Sequence, residues 1–170
     1  MSKRLAAWAL ALAGCSAASD RSSGAPALIL RVATDLAVPT AIDRLEIRVE
    51  TGGATTFEKS YVLPGDASLP ATLTLGASGK GTPPPGTLSP GIVSVADVGA
   101  SVVLHVSASH AGVPVVSRAA RFVMPSSQRA LDVSLLHACS GVMCPDGQTC
   151  DHGSCVPVDV DAASLPGFGT

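Results

Sequence analysis

Aromatic side chains are scarce in this 170-residue chain, at 3% of positions with one Trp, one Tyr and three Phe. So thin a supply leaves little for stacking on bases or sugars, and disfavours single-stranded nucleic acid and carbohydrate as ligands. Charge is sparse too, at 14%, and neither sign dominates, with 11 Lys and Arg against 13 Asp and Glu. That balance excludes an acidic disordered tail and a basic phosphate-binding surface, so no nucleic-acid partner is expected. No apolar run approaches the ~20 residues of a membrane-spanning helix. The G-x-S-x-G, H-E-x-x-H and P-loop patterns are also missing. A nucleophile and base would have to come from His105, His110, Asp97, Asp132 and scattered serines. Their placement in strands and turns reads as ordinary surface chemistry, so no enzyme activity is expected. Glu46, Glu50 and Glu58 are the only glutamates and fall in or beside exposed strand faces.

What is present is apolar but small. Hydrophobic residues make up 46% of the chain beside 17 Gly and 13 Pro, a composition that favours short strands and tight turns. Lys3 and Arg4 precede the apolar run Leu5 to Leu12, which is the layout of a signal peptide. The run ends in Leu12-Ala13-Gly14-Cys15. This resembles the lipobox of bacterial lipoproteins, and the resemblance implies that residues 1–14 are removed and that the Cys15 thiol carries diacylglycerol. Several acyl chains on one residue anchor stably, because each buried methylene contributes about 0.8 kcal/mol and one chain alone binds only marginally. Ser16, standing after the cysteine where Asp would favour retention in the inner membrane, implies by the same resemblance sorting to an outer membrane. Removal of residues 1–14 takes away Lys3, Arg4 and Trp8 and leaves nine basic against thirteen acidic residues. Residues 16–25 (SAASDRSSGA) have no apolar period and read as a flexible tether reaching at most roughly 33 Å.

From residue 26 to 137 the pattern is that of a sandwich domain. ALILRVAT (27–34) is almost continuously apolar, and DRLEIRVE (43–50) alternates Leu45, Ile47 and Val49 with Arg44, Glu46, Arg48 and Glu50, the period of a half-buried strand. Gly52-Gly53 predicts a hairpin into 55–63. Further strands are predicted at 71–77, 91–98, 101–109, 115–123 and 129–136, with HAGVP (110–114) as a second hairpin connection. Ala-rich 117–124 is the single place where a short helix would be tolerated. Residues 76–91, rich in Pro and Gly with Lys80 as their one charge, read as a mobile loop. The fold class is therefore all-β, an antiparallel sandwich of about seven or eight strands of immunoglobulin-like or transthyretin-like kind, with a closed barrel as the alternative.

The remaining four cysteines, Cys139, Cys144, Cys150 and Cys155, are spaced C-x4-C-x5-C-x4-C. An even number in an oxidising compartment predicts disulfides, and residues 138–157 hold too little apolar content to fold without them. Four cysteines permit three connectivities, and spacing does not choose among them. The run C-P-D-G-x-T-C-x-x-G-x-C from Cys144 resembles EGF-like cysteine-rich modules, although the six cysteines of a complete EGF domain are not here. The resemblance implies the crossing pairs Cys139 with Cys150 and Cys144 with Cys155, a staple rather than an EGF activity. A zinc site using His137 and His152 with the thiols, and a calcium site using Asp146, Asp151, Asp159 and Asp161, are weaker readings, so no metal or other cofactor is expected. Residues 158–170 read as a frayed, disordered tail. The functional expectation is a non-catalytic, lipid-anchored envelope module whose partners are the membrane, through Cys15, and a protein or envelope component. An accessory subunit of an export or adhesion assembly and a small-molecule or metal carrier are the alternatives.

Overall fold

A computed structural model describes residues 25–76 and 87–168. The expected signal peptide, Cys15 with nearly all of the tether, and positions 77–86 of the anticipated loop lie outside the described residues. Ten strands follow one another: β1 (Ala27–Thr34), β2 (Arg44–Thr51), β3 (Ala54–Val62), β4 (Ala71–Gly76), β5 (Thr87–Ser94), β6 (Ser101–His110), β7 (Val113–Val123), β8 (Arg129–Leu135), β9 (Gln148–Asp151) and β10 (Ser154–Pro157). The first eight form two four-stranded sheets, ordered β5-β4-β1-β8 and β3-β2-β6-β7, while β9 and β10 make a separate ribbon. Two separate sheets over one core are a sandwich and not a closed barrel.

Alternation explains the layering. On β2, Leu45, Ile47 and Val49 are fully buried, while Arg44 and Glu46 face water and Arg48 and Glu50 are half-exposed. Across the core they meet Leu28, Leu30 and Val32 of β1 and Leu73 and Leu75 of β4 in one hydrophobic cluster, each such side chain contributing about 1.5–3 kcal/mol. The second sheet is antiparallel throughout, whereas β1–β8 and β4–β5 are parallel pairs. Residue periodicity marks faces, not chain direction, so this mixture was invisible in the sequence. The strand expected at 91–98 is displaced to Thr87–Ser94, and residues 117–124 are extended rather than helical apart from Met124, which follows β7. Pro90 and Gly91 read as breakers, yet β5 is an edge strand, where a missing N–H is tolerated.

The expected disordered tail is instead a strap. Thr149 Oγ1 accepts the Ala119 N–H at 2.9 Å, and the Gly141 N–H donates to the Val115 carbonyl at 3.1 Å, so the cysteine segment lies along the outer edge of β7. Further down, the Arg121 N–H donates to Val158 O at 2.7 Å and the Val160 N–H to Arg121 O at 2.8 Å. The chain then crosses to the other sheet, where Ala130 of β8 donates to Pro166 O at 3.0 Å and Arg129 bridges Gly167. Buried Ala162 joins the core cluster on the way. The strap forms because β7 and β8 present unpaired backbone at their edges, and 158–167 supplies the partners.

Three two-residue hairpin turns have both central residues at positive φ: Gly52-Gly53 (61°, 79°), Ala111-Gly112 (49°, 79°) and His152-Gly153 (49°, 80°). This is the turn whose twist matches the flanking strands. Ala111 adopts it despite its Cβ, held by the Asp43 carboxylate, which accepts the Ala111 N–H at 2.8 Å. Replacing Ala111 by Gly is expected to raise the unfolding free energy by about 1 kcal/mol, read from the urea midpoint. An unchanged or lower midpoint would show that the left-handed conformation carries no cost here.

Candidate functional site

The outer face of the β2-β6-β7 sheet and the cysteine segment enclose a groove of about 580 Å3. Strand register builds its floor. Arg48, His105 and Ala119 form one row, and Glu46, Ser107 and Ser117 the next. The wall is the loop between Cys139 and Cys144, carrying Val142 and Met143, together with Gln148 and Thr149 from the start of β9. Met143 is 94% exposed, an apolar side chain presented to solvent by a loop tied at both ends.

The ties are the two disulfides, Cys139–Cys150 and Cys144–Cys155, the connectivity implied by the EGF-like resemblance. They are unequal. Cys139 and Cys150 are 2% and 3% exposed and belong to the core of the sandwich, whereas Cys155 is exposed and Cys144 half-buried. The segment is therefore welded to the sandwich through its first bridge. Gly153 closes the β9–β10 turn against the Ala138 carbonyl, which a Cβ at that position would meet at 3.3 Å.

Charges complete the joint. Register puts Arg118 of β7 opposite buried Val106, on the inner side, yet its guanidinium turns outward to Asp151 of β9 at 2.8 Å. Asp151 also lies 2.8 Å from His152 Nδ1. On the sheet face Arg48 pairs with Glu50 at 3.0 Å. Arg121 and Asp159 clamp the strap through two hydrogen bonds of 2.6 and 3.0 Å, which hold the Asp159 carboxyl below its ordinary range and raise the guanidinium.

The residues weighed as catalytic candidates are not brought together. His105 stands mid-sheet opposite Arg48, His110 lies 3.4 Å from Asp43 at a hairpin end, Asp132 pairs with Arg31 on the other sheet, and Asp97 is in the loop after β5. The ligand sets weighed for metals disperse likewise. The four sulfurs are spent in disulfides, the backbone of His137 is bound by Asp35, and Asp161 caps Ala163. Among the described residues no three His, Cys, Asp or Glu side chains converge as a metal site. The groove was missed in the sequence. Val142-Met143, an apolar pair inside an otherwise polar cysteine run, was its one available signal. Compared with known proteins, the chain matches no family model, no curated protein and no solved structure at a significant level.

Two outcomes follow from this joint. Cys150→Ser is expected to lower the stability of the whole domain by about 2–5 kcal/mol, whereas Cys144→Ser should alter hydrogen exchange only around residues 142–157, leaving the denaturation midpoint of the sandwich near its original value. Equal midpoint losses would refute the inequality of the bridges. Asp159 has a depressed folded-state pKa, so its contribution is present above the unfolded value near 3.8 and is lost as pH falls through the folded value. Acidification below about pH 4 should therefore speed proteolysis of the strap at neutral-pH-stable sites, and Asp159→Asn should abolish that pH dependence.

Proposed function

We propose that this chain is a non-catalytic, lipid-anchored module of a bacterial envelope, holding a disulfide-stapled recognition surface away from the membrane for a protein or envelope component. The observation that carries the reading is the polarity of β1. The tether enters at Ala27, whereas Thr34 at the other end pairs with Leu135, and His137, two residues on, donates to Asp35 at 2.6 Å. The cysteine segment starts there. Eight residues of strand thus put roughly 23 Å between the anchor side and the point where the stapled segment begins. The β6–β7 turn, held by Asp43, lies at the same far end, beside exposed Val113, and Met143 is exposed in the stapled segment.

The Leu12-Ala13-Gly14-Cys15 sequence supports the anchor. The paired cysteines are compatible with an extracytoplasmic location. Ser16 supports the outer membrane as the destination. A groove with mixed charge, hydroxyls and one projecting Met suits a polypeptide surface better than a small apolar ligand.

Expressed at full length in a bacterial host, the wild-type chain should fractionate with membranes and yield an N-terminal peptide starting at acylated Cys15. Cys15→Ala should release it to the soluble fraction. Recovery of an unacylated wild-type Cys15 peptide would sink the reading. A photo-crosslinker at Met143 should then capture an envelope component that a crosslinker on the Arg31 face does not.

A further inference from the structure

The end of the sandwich opposite the start of the cysteine segment carries its own apolar set. Val98 is 46% exposed, Val123 56% and Phe168 39%. Hydrogen bonds place them together at that end: Gly99 donates to Met124 O at 3.0 Å and Met124 to Ala100 O at 2.9 Å, while Gly167, next to Phe168, bridges Arg129. Val123 and Arg129 line one shallow cavity of about 250 Å3 with Met124, Val160 and Ala162. Arg129 is also the register partner of Leu28, one residue beyond the start of β1. The tether therefore emerges beside this cavity.

The guanidinium at this end differs from most others in the chain. Arg31, Arg48, Arg118 and Arg121 each pair with a carboxylate, and Arg44 donates to Ser60 on the neighbouring strand β3. Arg129 donates to the Leu165 carbonyl at 2.9 Å, and no carboxylate partner is found for it among the described residues. Its remaining donors suit a phosphodiester. Residues 16–25 limit the distance of this end from a lipidated Cys15 to roughly 33 Å, which gives a weak surface contact a high effective concentration.

We propose that the tether-side end of the sandwich rests on the phospholipid surface, with Arg129 at a headgroup phosphate and Val98, Val123 and Phe168 in the acyl boundary. This rests on the lipid anchor put forward above and adds to it a second contact, one that fixes orientation. Asp97 and Asp161, which share that end, oppose anionic headgroups, so the surface that fits is zwitterionic. Apolar insertion by three side chains is marginal alone and needs the anchor to hold it.

Removal of residues 1–14 takes the only Trp with it, so a single introduced indole reports its own surroundings. Full-length chains carrying Val123→Trp, Phe168→Trp or Met143→Trp, purified from membranes and reconstituted into phosphatidylcholine vesicles with brominated acyl chains, are compared, with an intact mass spectrum of each. The expected result is an acylated chain whose indole emission from positions 123 and 168 is blue-shifted and quenched while that from position 143 is neither. Arg129→Gln should weaken the quenching at both reporters. Acylated chains with unquenched emission from positions 123 and 168, or with equal quenching at position 143, overturn the orientation alone. An unacylated chain overturns the anchor and this inference with it.

Discussion

Unpaired backbone at a sheet edge is the problem that organises this molecule. Four strands are outermost, and each is dealt with by a different residue set. The β7 edge is covered first by Gly141 and Thr149 and then by Val158 and Val160; the β8 edge is covered by Pro166. On β3, Lys59 stands opposite buried Ile47 with its ammonium 5.3 Å from the Tyr61 ring centre, so another strand laid alongside would have to bury that charge. On β5, Pro90 removes a donor. The C-terminal fifth of the chain is thus less an appended domain than the closure of the sandwich's open side, and this explains why Cys139 and Cys150 sit in a core they share with Leu and Val side chains.

Closure also sets the geometry of the groove. Because the cysteine segment must follow the β7 edge, its first loop overhangs the sheet face beside it, bringing Val142 and Met143 over His105 and Ser117. The Arg118–Asp151 pair locks that overhang at a half-buried position, where an ion pair is screened less than on open surface. The same route carries the chain back toward the start of β1.

The sequence made the faces legible and left the connections obscure. Leu45, Ile47 and Val49 alternate with charged residues, and the structure places them as that period requires. Gly52-Gly53 announced its turn because two positive φ values in succession leave few other residues. The strap was illegible because VDVDAASLPGF has no period and its order comes from partners 30 to 40 positions away, such as Arg121 with Asp159 and Arg129 with Leu165. Arg118 misleads in the same way. Alternation puts it inside, and only the later arrival of Asp151 draws its charge out.

The parallel pairing of β1 with β8 links positions 101 apart, as in Arg31 with Asp132. A chain delivered from its N-terminus must hold Leu28, Leu30 and Val32 with one flank unsatisfied while the intervening strands follow. Loop-closure entropy makes such a pairing slow. The time between the arrival of β4 and that of β8 is then an interval of vulnerability, when a soluble escort for exposed apolar strands matters more than at any later stage.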